Sequence, residues 1–484
     1  MPAQHYKRCR QIWEGVSMEK TKAEDTSDSA EESKNEEAAE FNHPLHGVGN
    51  AERFVKQHGE YIRFCSEWKA WLIYTAGQWE MQQGKTRLYQ MAKETIQNMR
   101  DEAEREDLSY EQKQDLIGYA NKSSKKSSIN AMLDLASMEP IIQASASHFN
   151  SNLWQLNCVN GTLNLQTKAL EVHQSSDFMT KKIATPYNKD AKCPKWDRLL
   201  ETIMNGDQEK IDFLQRIFGY ALTGETGEQC LFVFYGSGAN GKSTIIEAFR
   251  DLLGEYAMNM SAESLLQSKA MIRNDIARLN GARFVSAVEI GMDKKLNESL
   301  IKQLTGGDQV TARFLYREHF EYKPEFKLII AANHKPEIKG VDNGIWRRIY
   351  IIPFDVTIPS EEIDKDLPAK LKQELPGILA WAVQGCYDWQ EHGLNPPDSI
   401  KSATDSYRAE MDIIGGFIDD ICEIDPEKRV PLGSLYASYQ EWSDQACQDA
   451  LGKKEFGNLM RQKGYSQIKS GSTRYWTGIS IKEE

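Results

Sequence analysis

The sequence has no two cysteines close enough to clasp a loop or grip a metal together: its eight (Cys9, Cys65, Cys158, Cys193, Cys230, Cys386, Cys422 and Cys447) stand at least 25 residues apart. That spacing excludes a Cys-x-x-Cys knuckle and a compact disulfide framework, so reduced thiols are expected and structural zinc is not. No apolar run approaches the roughly 20 residues that cross a bilayer, which leaves out a membrane partner. Nor does an apolar stretch follow the basic opening Met-Pro-Ala-Gln-His-Tyr-Lys-Arg-Cys-Arg, so no secretory signal is expected and a cytoplasmic location is. Net positive charge is missing too: 59 Lys and Arg face 71 Asp and Glu, a formal −12. That balance argues against a polyanionic partner for the chain as a whole, though not for one face of it.

What is present is enough chain for several cores. At 484 residues, with 40% hydrophobic and 27% charged, the composition is that of a globular protein of about three domains. Residues 1–45 read as an acidic disordered tail: nine acids (Glu19, Glu24, Asp25, Asp28, Glu31, Glu32, Glu36, Glu37, Glu40) face three lysines between 19 and 40, with almost nothing apolar. Residues 46–205 turn globular, with Trp68, Trp71, Trp79, Trp154 and Trp196 and a helical period between Leu88 and Met138. Over 206–365 short apolar runs at Leu231–Tyr235, Arg283–Glu289, Phe326–Ala332 and Arg348–Pro353 alternate with helical segments, the pattern of an α/β sheet covered on both faces. A helical connector is expected over 366–402, broken at Asn395-Pro396-Pro397, and a small unit over 403–484.

The Leu231–Tyr235 strand runs into Gly236-Ser237-Gly238-Ala239-Asn240-Gly241-Lys242-Ser243-Thr244, and a helical segment follows. Strand, Gly-rich loop and helix together make a phosphate-binding loop: the glycines let several N–H groups converge on one phosphate, Lys242 reaches the β/γ-phosphates of ATP, and the Ser243 hydroxyl holds Mg²⁺. Hydrolysis also needs a strand-end acid near the metal and the attacking water, and Glu289, closing Arg283-Phe-Val-Ser-Ala-Val-Glu289, is the candidate. It stands without the usual neighbouring acid, so a further metal ligand is left open. Asn333, closing the Phe326–Ala332 strand, can hydrogen-bond a γ-phosphate or water without adding negative charge. Arg347 and Arg348, just before the last strand, can neutralise charge developing on a phosphoryl group.

Taken in order, G-S-G-A-N-G-K-S-T, F-V-S-A-V-E, I-K-Q-L-T-G-G-D-Q-V-T-A-R-F-L-Y, P-E-F-K-L-I-I-A-A-N-H-K-P and W-R-R-I resemble superfamily 3 helicases, and more narrowly the phage and plasmid primase-helicase family related to the C-terminal half of the poxvirus primase-helicase. The likeness extends to Phe218–Gly224 and Glu374–Trp381. It implies an AAA+-like P-loop ATPase core with a mostly helical, collar-like N-terminal domain and a C-terminal winged-helix domain. It also implies that Lys242 and Ser243 carry the Walker A role, Glu289 the Walker B role, Asn333 the sensor role, and Arg348 or Arg347 a finger acting on the neighbouring subunit's ATP. A homo-hexamer moving 3′ to 5′ on single-stranded and forked DNA follows from the same likeness, in the cytoplasm of a bacterial host, with priming and initiation expected from separate proteins.

Two regions supply cations for DNA. Lys302, Arg313, Arg317 and Lys323 interleave with Phe314, Tyr316, Phe320 and Tyr322, a mixture suited to backbone tracking and base stacking, and the family places a hairpin there. Between 453 and 482, Lys453, Lys454, Arg461, Lys463, Lys469, Arg474 and Lys482 face one acid, Glu455; two helices and a two-stranded wing are expected, touching duplex DNA or a partner protein. No Asn-Lys-x-Asp base-reading string follows the P-loop, which excludes a GTPase. A replication initiator that uses ATP as an assembly switch stays open as the alternative.

Overall fold

The structure, a computed structural model, describes residues 43–267, 273–288, 294–314, 318–338, 343–446 and 450–482. The chain packs as two units, one from the segments ending at Glu60 and running Gly84–Gln143, the other from Tyr61–Gln83 and Ala144 onward.

The smaller unit is helical: Gly47–His58, Thr86–Glu102, Tyr110–Ser123 and Lys126–Ala136. Ser109 and Gln112 close a reciprocal capping box at the start of Tyr110–Ser123, satisfying two otherwise orphaned N–H groups. The buried Arg53 guanidinium donates to the His43 carbonyl at 2.9 Å, with Glu102 3.8 Å away. Burial pulls its pKa below the usual arginine value.

The larger unit is organised by a five-stranded sheet: β1 (Leu231–Tyr235), β2 (Ala257–Ser261), β3 (Phe284–Val288), β6 (Lys327–Ala332) and β7 (Ile349–Pro353). The numbers β4 (Val310–Ala312) and β5 (Phe320–Tyr322) fall to a separate antiparallel hairpin. All five sheet strands run parallel, in the order β7-β1-β6-β3-β2. Alternation does the burying. Phe232 and Phe234 enter one core and Leu231 and Val233 the other, so β1 is buried on both faces, as a central parallel strand must be. On the first face the helix Gln208–Leu222 brings Phe218 against Phe249 at 4.4 Å between ring centres, with Phe284, Phe234 and Trp381 around it.

Expected strands appear at β1, β3, β6 and β7. The edge strand β2, Ala-Met-Asn-Met-Ser, is additional; it pairs with β3 on one side. The expected helical connector is two helices, Leu367–Gln373 and Leu375–His392, and the Glu374 carboxylate between them accepts from the N–H groups of Lys195 and Trp196 at the start of another helix. Helix Asp398–Met411 packs on β7, where Thr404 accepts from the Ile351 N–H at 3.1 Å. The C-terminal segment follows as helix Ile413–Ile421, strand Cys422–Pro431, helices Leu432–Gln445 and Lys453–Gln462, and the hairpin Ser466–Ser470 with Thr473–Ile481. Phe417, Tyr439, Phe456, Met460 and Trp476 fill its core. The long strand Cys422–Pro431, bulged between Ile424 and Arg429, completes a three-stranded antiparallel sheet and was not foreseen from the sequence.

Candidate functional site

The strand ends of the parallel sheet converge on the glycine-rich loop. Register sets Tyr235 beside Ala332 and Ala331 beside Val288, so the loop, Asn333 and the end of β3 at Val288 stand at the same end of the sheet. The Gly236 N–H donates to the Ala332 carbonyl at 3.3 Å, which fastens the loop to the strand that carries Asn333. Glu289 itself lies outside the described residues.

Two glycines shape the turn for steric reasons. A Cβ at Gly236 would stand 2.4 Å from both Asn240 Nδ2 and the Phe354 carbonyl. Gly241 caps the helix Lys242–Leu253 with φ 78°, and a Cβ there would meet Ile203 Cγ2 at 2.6 Å. Left-handed backbone of this kind suits glycine. The helix then buries Ile245, Ile246, Phe249, Leu252 and Leu253 on one face, which fixes its N-terminus at the loop.

Lys242, the first residue of that helix, is only 5% exposed. Its ammonium donates to the Gly236 carbonyl at 2.7 Å and to Asn240 Oδ1 at 2.8 Å, while Asn240 Nδ2 donates to the Phe354 carbonyl at 3.1 Å. Both partners of the ammonium are neutral oxygens, and burial pulls its pKa below the usual lysine value. A desolvated cation so placed, beside the N–H groups of a helix start, attracts an anion. Ser243 is exposed one residue further on, with Thr244 half-buried; Ser237 and Ala239 are exposed and Gly238 half-buried. Among the described residues no group of three or more His, Cys, Asp or Glu side chains could hold a metal. The donors on offer are hydroxyl oxygens, which suit a hard divalent cation carried in with phosphates.

Arg347 and Arg348 lie elsewhere. They precede β7, and the Leu231 N–H donates to the Arg348 carbonyl at 2.6 Å, so both stand where the parallel strands begin. The loop stands where those strands end, roughly 15 Å away along a five-residue strand. Arg347 is exposed and Arg348 is 8% exposed. Each guanidinium donates through Nη2 to Gln229 Oε1, at 2.8 Å and 3.2 Å, and Arg348 Nη1 donates to the Gly344 carbonyl at 2.5 Å. Gln229 carries no sequence signal beyond standing two residues before β1.

The hairpin β4–β5 presents exposed Arg313 and Lys323, with Phe314 stacked on Phe320 at 5.6 Å. Lys302 is half-buried on the helix Glu298–Thr305 that leads to it, and Arg317 lies outside the described residues. In the C-terminal segment Lys453, Lys454, Lys469 and Arg474 are all exposed, and Lys469 faces Arg474 across the hairpin. Lys453 and Lys454 open their helix, where the macrodipole disfavours cations unless an anion answers them.

Comparison with known proteins finds the D5 N terminal like family over residues 51–205 and a family of unknown function over 234–348. A protein of Acanthamoeba polyphaga mimivirus, named as a candidate helicase L207/L206, is 29% identical over 258 residues, 49% of this chain and 27% of that one. A protein of Frog virus 3, named as a candidate helicase 022R, is 27% identical over 274 residues, 52% of this chain and 27% of that one. Primase D5 of Fowlpox virus is 29% identical over 154 residues, 30% of this chain and 19% of the relative. The chain thus spans about a quarter of the length of these viral helicase relatives. No described helix is long and apolar enough to cross a membrane.

Proposed function

We propose, from its likeness to helicase-named viral relatives and to a D5-type primase, that the chain is a superfamily 3 primase-helicase-type protein acting as an ATP-dependent DNA helicase of a replication system. It would work as a head-to-tail ring, a homo-hexamer, moving 3′ to 5′ on single-stranded DNA. The observation that carries the reading is Lys242: a buried ammonium whose partners among the described residues are neutral, at the start of a glycine-capped helix. Polyphosphate restores the missing counter-charge, and the loop N–H groups from Gly238 to Ser243 complete the cradle.

Ser243 would hold Mg²⁺, which when bound neutralises phosphate charge. Asn333 orients the attacking water or the γ-phosphate from the strand beside the loop. Glu289, following Val288 one strand further along, polarises that water. Arg348, with Arg347, answers the phosphate of the neighbouring subunit, since its own loop is at the opposite end of the sheet. Arg313, Arg317, Lys323 and Lys302 track the DNA backbone while the hairpin aromatics offer stacking faces. Lys453, Lys454, Lys469 and Arg474 make the C-terminal segment a winged helix for duplex DNA or a partner. The domain limits follow the same reading, with the ATPase over 206–365.

Lys242→Ala should lower ATP turnover about a hundredfold or more, the scale on which one preorganised charge-stabilising group acts. The measurement pairs ATP hydrolysis with strand displacement on 3′- and 5′-tailed forks, beside a mass determination with and without ATP. Near-normal hydrolysis by Lys242→Ala sinks the proposal. Hydrolysis and DNA binding without displacement would replace the helicase by an ATP-switched initiator.

A further inference from the structure

The side chain of Gln229 makes three hydrogen bonds that meet nowhere else in the described residues. Its Oε1 accepts from Arg347 Nη2 and Arg348 Nη2, and its Nε2 donates to the Gly306 carbonyl at 3.1 Å. Chemistry fixes the orientation of this amide. Guanidinium groups only donate and a carbonyl only accepts, so oxygen must face the arginines and nitrogen must face Gly306. The residue also holds φ 52°, a left-handed conformation that costs a non-glycine side chain energy and persists only where surrounding contacts fix it. Its Gly227 and Glu228 neighbours form a turn held by Gln229 N–H to the Thr226 carbonyl at 3.0 Å, and Glu228 in turn accepts from Trp389 Nε1 at 2.8 Å. Gly306 closes the helix Glu298–Thr305 just ahead of the hairpin strand Val310–Ala312.

We propose that Gln229 is a positioning residue for the arginine pair, holding both guanidinium groups at the angle from which they reach a neighbouring subunit's phosphate. The inference rests on the helicase reading above. Without the amide, two like-charged and flexible side chains would spread over many rotamers, and each encounter with the phosphate would first have to order them. Gln229 acts through the arginines and need not touch ATP.

The test uses the full-length protein. Gln229→Gly removes the side chain while easing the backbone, so folding is preserved, and a thermal melt checks that. Turnover at saturating ATP should fall about tenfold with KM for ATP within twofold of wild type, because the binding loop is untouched. The same substitution placed in an Arg347→Ala/Arg348→Ala background should lower turnover no further. Wild-type turnover in Gln229→Gly overturns the assignment, as does a tenfold loss that persists in the background lacking both arginines. A parallel Lys242→Ala sample separates the two ideas: unimpaired hydrolysis there overturns the helicase reading and this inference with it, whereas a dead Lys242→Ala beside an unaffected Gln229→Gly overturns the positioning role alone.

Discussion

Two buried lysines of the larger unit show how the same residue can serve opposite ends. Lys242 keeps its charge out of water at the loop, where a ligand can answer it. Lys327 opens β6 at the other end of the sheet and donates to the carbonyls of Thr223, Glu225 and Glu325, with the Tyr220 ring 4.6 Å away. Beside it Arg283 donates to the Leu222 carbonyl at 2.7 Å, so the two cations together close the C-terminus of helix Gln208–Leu222, where the macrodipole is negative. Burial, reinforced by Arg283, pulls the Lys327 pKa down to about 7. The folded pKa lies below the unfolded one, so the unfolded chain binds more protons and stability should rise with pH from about 7 upward. Above about 8.5 unfolded thiols begin to ionise, and burial raises the Cys230 pKa in the folded state, which opposes the trend. Melting points taken between these limits should climb, and Lys327→Met should flatten the climb; a flat wild-type profile contradicts the account. None of this was visible in the sequence, where Lys327 is one cation among several before an apolar run.

The elements were more legible than their partners. Leu231–Tyr235, the glycine spacing and the amphipathic run after Lys242 are local signals, so strand, loop and helix could be read in place. β2 could not: Ala-Met-Asn-Met-Ser has no β-branched residue and alternates over four residues alone, and it is a strand because β3 offers it an open edge. Gln229 escaped for a similar reason, since its role depends on Gly306 and the arginines, far away in sequence. The loop itself makes a sharp prediction. Gly241→Ala puts a Cβ at φ 78° and 2.6 Å from Ile203 Cγ2. It should cost about 1–3 kcal/mol of stability; Gly238→Ala shares the backbone strain, at φ 105°, but its added Cβ meets nothing within 4 Å, so the Ile203 clash should make Gly241→Ala the more damaging to stability and nucleotide binding. Denaturant melts and nucleotide titration would show it, and equal effects at the two glycines would contradict the steric argument.

At the scale of the molecule, composition misleads unless charge is placed. The −12 total coexists with a C-terminal stretch whose exposed Lys453, Lys454, Lys469 and Arg474 run against it. The interleaving of Tyr61–Gln83 with the larger unit was likewise beyond sequence reading, because long-range pairing such as Trp79 stacking on Phe178 leaves no local trace. Under the proposed function, Arg348→Ala and Lys242→Ala proteins, each much slower than wild type alone, should recover part of the hydrolysis when mixed, since one keeps the loop and the other keeps the arginine. If no ratio of the two restores turnover, action between subunits is refuted.

The placement of loop and arginine pair at opposite ends of one parallel sheet also has an arithmetic. Under the proposed function each chain would contribute half of two catalytic centres, as in any head-to-tail assembly. In such an assembly an open row of subunits would leave one loop and one arginine pair idle at its ends, a lone chain would have no complete centre, and only closure would give as many centres as chains. Turnover per chain should therefore climb with protein concentration and level off at the concentration where the assembly closes on itself.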